Sequence, residues 1–308
     1  MAVQKTTAST ARAVIDLGTN TFHLLGVRID ADGQLHELLR ERRFVYLATD
    51  GIEHIGKAAF ERAVNTVQEF AEALKRAGIT RVRALGTAAL RTADNGRELV
   101  QAIAERTGIQ PELIDGREEA RLIHRGVTAA VPVIKGTGLI MDIGGGSVEF
   151  ILATEDRVLW AESYPIGIAV LRKRFHRSDP LSAAEEAAMR AFLREALTPL
   201  ARQLTVAPAK LLLGASGTFD VIGDLLPTIR SGTHFRRVAV DAVHPFIEEL
   251  RGSTLQTRLA TPGLPKERAE LIVAALILIE EVLRLSAFES VEVSDYAMKE
   301  GALLEMEA

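Results

Sequence analysis

The chain has no cysteine. A disulfide framework and a thiolate metal site are both excluded, and a reducing interior is permitted. Long apolar runs are also missing. The most apolar segment, residues 271–279, is bounded by Glu270, Glu280 and Glu281 and is less than half the length of about 20 residues that spans a bilayer, so it reads as a buried helix. No basic excess exists: 37 Lys and Arg face 41 Asp and Glu, giving a net charge of −4 and a pI near 6.0, which argues against a general nucleic-acid binder. The histidines show no HExxH or other zinc spacing. Residues 1–12 are rich in Thr and Ala without an apolar centre, so no signal peptide is expected and the protein is placed in the cytoplasm, away from membranes.

The sequence does contain enough apolar residues, 47% of 308, to fill two cores of ordinary size. Two glycine-punctuated acidic turns organise it. Asp16-Leu17-Gly18-Thr19-Asn20 and Asp142-Ile143-Gly144-Gly145-Gly146-Ser147 each lie between two apolar runs that read as strands, so each unit is a hairpin with its turn at the strand end. The order that follows is repeated. In the first half come a turn at Asp32-Gly33, a third strand over residues 35–47, a helix over 56–77 capped by Gly78, a strand over 82–85 ending in Gly86-Thr87-Ala88, a helix near 95–107, a short strand at 112–114 and a helix from Arg117. In the second half come a third strand over 158–164, helices through Leu204, a strand over 210–213 ending in Gly214-Ala215-Ser216-Gly217-Thr218, a strand at 291–293 and a last helix from Ala297. A fainter echo of residues 117–123 appears at 266–272. The expected division is a first domain over 1–132 and a second over 133–308, joined near residues 131–138, with the final helix free to return to the first domain. Two similar halves imply a cleft between them.

Several residues in this frame can carry chemistry. Glycines let backbone amides wrap an anion, and a leading Asp can hold a divalent cation that shares the phosphate charge. The bland alternative for Asp16 and Asp142 is a turn in which the carboxylate satisfies only its own backbone. Two copies in register favour paired phosphate loops, made by Gly18, Thr19, Asn20 and Thr21 and by Gly144, Gly145, Gly146 and Ser147. Glu149 stands two residues past Ser147 on the outgoing strand, as either a solvated side chain or a second metal carboxylate beside Asp142. Glu118 and Glu119 open a helix, where the macrodipole favours acids in any case. Helical geometry groups Glu118 with Arg121 and Arg125 and places Glu119 beside the stripe Ala120, Ile123 and Val127, so Glu119 is the candidate general base. Arg91 is either a phosphate contact or a surface partner of Asp94. Ser216, Gly217 and Thr218 offer donors to an anion or cap a helix. The cluster Arg172-Lys173-Arg174 with His176 and Arg177 could receive a chain of phosphates. His23, inside a strand, reads as a core histidine.

Taken in order, the loops at Asp16 and Asp142, Ala89-Leu90-Arg91, residues 116–126, residues 214–218 and residues 294–301 resemble the exopolyphosphatase and guanosine pentaphosphate phosphohydrolase family over nearly the whole chain. The resemblance implies an α/β fold of two ribonuclease H-like domains, as in the actin, Hsp70 and sugar-kinase superfamily. It implies Mg²⁺-dependent hydrolysis of a terminal phosphoanhydride, from inorganic polyphosphate or from pppGpp, and a homodimer. By position it makes Glu119 the catalytic base, Arg91 a phosphate contact in the catalytic set, and Asp142, Glu149 and Asp16 the metal carboxylates. Residues 18–21, 144–147 and 216–218 become the phosphate turns. Tyr296 and Lys299 stand where many relatives carry Gly and Arg. Longer members continue into a helical HD-type domain, so short polyphosphates and weak processivity are expected here. An ATP-dependent small-molecule kinase and a non-catalytic polyphosphate or alarmone sensor are the competing readings.

Overall fold

In the computed structural model the described residues are 11–30, 34–49, 51–131, 136–154 and 157–306. The turn expected at Asp32-Gly33 and much of the link expected at 131–138 lie outside them. Contacts divide the chain into two compact units, Met1–Ile114 with Ala302–Ala308, and Asp115–Gly301.

The first unit begins with the hairpin of β1 (Arg12–Leu17) and β2 (Thr21–Ile29), followed by β3 (Leu35–Phe44), α1 (Lys57–Arg76), β4 (Arg81–Gly86), α2 (Ala88–Thr92), α3 (Gly96–Thr107) and β5 (Pro111–Leu113). Its sheet has the order β3-β2-β1-β4-β5, with β1, β2 and β3 antiparallel and β4 and β5 parallel to β1. Period-two alternation sends Ala13, Ile15, Leu17, Phe22 and Leu24 into one core with Phe70, Leu74 and Ile103 of the helices. Gly78, at φ 68°, terminates α1 in the left-handed conformation that lacks a Cβ penalty.

The second unit contains α4 (Gly116–Ala130), β6 (Gly138–Ile143), β7 (Val148–Ala153), β8 (Val158–Tyr164), α5 (Ile168–Phe175), α6 (Ala183–Ala196), α7 (Thr198–Val206), β9 (Leu211–Ala215) and α8 (Gly217–Leu225). It continues through β10 (Thr228–Ser231), β11 (Phe235–Ala239), α9 (Val240–Arg251), α10 (Leu255–Ala260), α11 (Ile272–Leu283), β12 (Ser290–Ser294) and the start of α12 (Met298–Glu305), whose residues from Ala302 on belong to the first unit. The seven strands run β10-β11-β12-β9-β6-β7-β8. Removing β10 and β11 leaves β8-β7-β6-β9-β12, the first sheet's order. Both units therefore have the ribonuclease H-like arrangement, and the β10–β11 hairpin is an addition that the sequence pattern did not reveal.

One face of the second sheet carries Leu139, Met141, Ile143, Val148, Phe150 and Leu152 into a core with α11. Helix α11 is buried along its whole length. Its two acids, Glu280 and Glu281, meet Arg190 of α6 inside the fold, with Arg194 and Arg284 at the edge. A buried carboxylate without such a partner would be costly. The opposite face is covered by α4, which packs on β6, β7 and β8. α4 crosses the start of α12 at two glycines: a Cβ on Gly126 would lie 2.0 Å from the Ala297 carbonyl oxygen, and one on Gly301 would lie 1.9 Å from that of Leu122. These contacts explain why α4 belongs to the second unit, ahead of the boundary expected near residue 132.

The topology also reassigns the fainter echo. α4 follows β5, the last parallel strand of its sheet, so its counterpart is α12, which follows β12. Residues 266–268 form a 3₁₀ turn leading to α11, and their similarity to residues 117–123 reflects a shared pattern of acid, base and apolar spacing.

Candidate active site

The two acidic turns are built alike. In the first, the Gly18 amide donates to the Thr21 carbonyl at 3.2 Å; in the second, the Gly144 amide donates to the Ser147 carbonyl at 3.0 Å. A Cβ at either leading glycine would meet the accepting oxygen at 2.8 or 2.9 Å, so a side chain there would break the turn. Each loop is also backed by a neighbouring segment. The carbonyls of Thr19 and Asn20 accept from Leu47, Val45 and Tyr46, whereas those of Gly144, Gly145 and Gly146 accept from Ile168, Ala169 and Gly167.

This backing orients the amides. In a trans peptide the N–H points opposite to the C=O of the preceding residue. With the carbonyls of residues 144–146 turned toward the start of α5, the amides of Gly145, Gly146 and Ser147 point the other way. The same argument turns the amides of Asn20 and Thr21 away from residues 45–47. Three successive amides facing one direction form a cradle for an anion. Gly167 permits it, since its Cβ would sit 2.4 Å from Gly145 and Gly146 main-chain atoms.

Beside the second loop, the register aligns a polar row across three strands. Asp142 on β6 is opposite Glu149 on β7, which is opposite Ser163 on β8. Directly opposed residues share a face with Cβ atoms about 4.5–5.5 Å apart. The Ser163 hydroxyl donates to Glu149 Oε1 at 2.6 Å. Glu149 is 1% exposed and Asp142 is 8% exposed, so the solvated alternative for Glu149 is overturned. Burial pushes the Asp142 carboxyl up to about 6; a hydrogen bond from Ser216 and the Lys299 charge oppose this, and Asp220 and Glu300 add to it.

The start of α4 lies over this row. Asp115 caps it by accepting from the Glu118 amide at 2.8 Å, and Gly116 approaches so closely that a Cβ would be 2.5 Å from that of Ser163. Glu118 is bound to Arg121 at 2.8 Å at the helix surface. Glu119 is buried on the inner side with Ala120, Ile123 and Val127. The helix N-terminus supplies a positive dipole end near these acids.

The third turn of this unit, residues 216–218, starts α8. Ser216 occupies the N-cap position without capping through its side chain; its hydroxyl donates to the Ile143 carbonyl at 3.0 Å. Arg268 presses its guanidinium against Gly217, where a Cβ would lie 1.7 Å from Nη2. Sequence reasoning had no place for Arg268, Asp220, Ser163 or Gly167. Burial raises the Asp220 carboxyl, and the charges of Lys299 and Arg268 oppose the shift. Lys299 pairs with buried Glu300 at 3.1 Å. Tyr296 stacks on His234 with ring centroids 4.4 Å apart.

In the first unit, Asp16 lies opposite His23 on β2 and is half-buried. Arg91 donates from Nη1 to the Ile114 carbonyl at 2.6 Å, while Asp94 pairs with His54 at 2.7 Å. In the basic cluster, Arg172 meets Glu270 at 3.3 Å and Arg174 lies 4.3 Å from the Phe192 ring centroid. Among the described residues no group of three His, Asp or Glu could hold a metal ion by itself, and no helix is long and apolar enough to cross a membrane. Two carboxylates on one face nevertheless suit Mg²⁺, which keeps waters and takes substrate oxygens for its remaining positions. Asp142, desolvated and raised, is the kind of acid that a cation would stabilise in its ionised form.

Known proteins share this architecture. The crystal structure of an exopolyphosphatase from Cytophaga hutchinsonii is 36% identical to the chain, with a TM-score of 0.90 over 96% of this chain and 97% of that one. A Ppx/GppA protein of Aquifex aeolicus, at 23% identity and a TM-score of 0.79, has the same fold over 96% of both chains. Exopolyphosphatase 1 of Mycobacterium tuberculosis is 27% identical over 297 residues, spanning 94% of this chain and 86% of the relative. The Ppx/GppA phosphatase family matches residues 27–308, and the chain is an enzyme that belongs to it.

Proposed function

We propose that this enzyme is a Mg²⁺-dependent exopolyphosphatase that removes orthophosphate from the end of inorganic polyphosphate. The observation that carries the reading is the meeting, in one unit, of three aligned amides at residues 145–147, the buried pair Asp142 and Glu149, and the buried Glu119 on the capped end of α4. The relatives named exopolyphosphatase supply the substrate class.

In this reading the loop amides of residues 145–147 and the donors of residues 216–218 hold the terminal phosphate. Residues 18–21, Asp16 and Arg91 lie in the first unit, and the family resemblance gives them further phosphate and metal roles. Asp142 and Glu149 would hold Mg²⁺, which when bound neutralises charge on the phosphoryl oxygens. Glu119 orients a water in line with the phosphoanhydride and accepts its proton. The water oxygen bonds to the terminal phosphorus, the bridging P–O bond breaks, and the shortened chain leaves with the bonding electrons on its new terminal oxygen. Positioning and fixed charge supply most of the acceleration in such transfers.

Orthophosphate release from short polyphosphate, long polyphosphate, pppGpp and ATP, with and without Mg²⁺, tests the reading. Release from short polyphosphate that needs Mg²⁺ is expected. Faster turnover of pppGpp would reassign the substrate, and transfer from ATP to an acceptor without free phosphate would make the protein a kinase. Sedimentation of the enzyme checks the homodimer.

A further inference from the structure

Glu149 is 1% exposed, and a carboxylate so enclosed needs a donor. Ser163 supplies one. Its hydroxyl donates to Glu149 Oε1 at 2.6 Å, within the range of about 2.5–2.7 Å for a hydroxyl on an ionised carboxylate. Two features of the fold aim that hydroxyl. Ser163 on β8 is directly opposite Glu149 on β7, so both side chains leave the same face of the sheet with Cβ atoms about 4.5–5.5 Å apart, and a single side-chain torsion sets the direction of the serine. Against it stands the first turn of α4, where a Cβ on Gly116 would lie 2.5 Å from the Ser163 Cβ and 3.1 Å from its Oγ. The serine is therefore held between the strand that carries Glu149 and the helix that carries Glu119. The kind of donor matters as much as its direction. In the first unit the equivalent row reads Asp16, His23, Arg42, so a guanidinium stands in the place of the serine. A guanidinium at residue 163 would satisfy Glu149 and cancel its charge as well. A hydroxyl fixes the plane of the carboxylate and leaves the charge in place for a cation.

We propose that Ser163 is a positioning residue that orients the Glu149 carboxylate for a divalent cation. The inference rests on the metal role given to Glu149 above and adds one residue to it. Hydrogen-bond partners standing behind a metal ligand are commonly worth about 10- to 100-fold in metal affinity. Ser163 touches two parts of the site, so two routes to an effect on turnover must be told apart. Acting through Glu149, it changes how tightly the cation binds. Acting through α4, it would move Glu119 and change the rate with the cation already bound.

The experiment compares wild type and S163A, a substitution that keeps the contact of the serine Cβ with Gly116 and removes only the donor. Mn²⁺ binding without substrate, followed by calorimetry, is expected to weaken about tenfold or more. The Mg²⁺ concentration for half-maximal phosphate release from polyphosphate should rise by a similar factor, while kcat at saturating Mg²⁺ stays within about threefold of wild type. Thermal unfolding in chelator confirms that S163A is folded. A merely structural serine would lower the unfolding temperature and leave the Mn²⁺ affinity of the folded protein unchanged, so wild-type affinity in S163A overturns the proposal whatever the stability. Wild-type affinity with a lowered kcat at saturating Mg²⁺ overturns it too, and assigns the serine to α4 and Glu119. A wild-type protein that binds no Mn²⁺ overturns it together with the metal role of Glu149. If wild type binds Mn²⁺ yet releases no phosphate from polyphosphate, the functional reading fails while the calorimetry still decides the part played by Ser163.

Discussion

The first hairpin and the second are the same turn carrying different chemistry. Gly18 and Gly144 close equivalent loops with bonds of 3.2 and 3.0 Å, and Asp16 and Asp142 end equivalent strands. Their cross-strand partners differ. His23 faces Asp16, while Glu149 faces Asp142. On the outer strand, Arg42 follows His23 in the first row and Ser163 follows Glu149 in the second. The first row therefore surrounds its acid with groups able to carry positive charge, and the second concentrates negative charge that calls for a cation. In the proposed reading the repeated backbone sets where an anion would lie, and the residue opposite the acid makes the second hairpin the main carboxylate site for a metal.

Breaking the second site at its base should give the largest effect. Glu119→Gln keeps the volume and the helix but removes the proton acceptor, and kcat for phosphate release is expected to fall by about 10²–10⁴-fold. Glu118→Gln weakens the pair with Arg121 at the helix surface and should change kcat by roughly twofold or less. Equal losses in steady-state assays of the two variants would refute the assignment made from the helix face.

The hairpins themselves are compared next. Asp142→Asn should lower turnover by about two orders of magnitude or more and move the Mg²⁺ requirement to higher concentration, because it removes one of the two carboxylates proposed to hold the cation. Asp16→Asn should cost about tenfold less than that, since His23 and Arg42 leave its loop able to hold an anion. A Mg²⁺ titration of both variants measures the difference, and a larger shift for Asp16→Asn would reverse the roles of the two loops.

A third comparison concerns what stands behind each loop. Gly167→Ala places a Cβ 2.4 Å from the main chain of Gly145 and Gly146, so the three amides must move. Turnover should fall by on the order of tenfold to a hundredfold, and stability by about 1–3 kcal/mol. Tyr46→Ala touches the first loop's backing, but the bonds there come from the main chain of residues 45–47 and survive truncation. Its effect on turnover should stay within about twofold to threefold. Kinetics with urea unfolding on the same preparations separates lost alignment from lost fold.

Much of this was legible before any coordinates. The glycine turn between two apolar runs places Asp142 at a strand end, and helical spacing places Glu119 on the inner face of α4, because the 3.6-residue period reports burial directly. Gly167 was not legible. Its φ is −60°, so nothing local demands glycine; the demand comes from residues 145 and 146, some twenty positions away. Arg268 hid for a related reason, since its place against Gly217 depends on how a 3₁₀ turn meets α8. Ser163 looked like one polar residue of an exposed strand, and only the register of three strands brings it to Glu149. The resemblance between residues 266–272 and α4 misled because a pattern of charges and apolar positions describes a kind of helix and not its position in a topology.

The last comparison is thermodynamic and concerns Asp142 without metal. Its carboxyl is raised from 3.8 to about 6 by burial, so the folded chain holds this proton where the unfolded chain has released it. Between about pH 4 and 6 the native state binds more protons than the unfolded state, and stability from this group falls as pH rises through that window. Above it the ionised, desolvated carboxylate opposes folding by roughly 2–3 kcal/mol. Asp142→Asn, neutral at every pH, should therefore be more stable than wild type by about 1–3 kcal/mol at pH 7.5 in chelator and indistinguishable from it near pH 4. Added Mg²⁺ should narrow the gap for Asp142 by stabilising the ionised wild type. Urea unfolding at both pH values, with and without Mg²⁺, reads all three expectations; a variant less stable than wild type at pH 7.5 in chelator would show that the buried acid already has its counter-charge inside the protein, and that the second hairpin does not depend on a cation from solution.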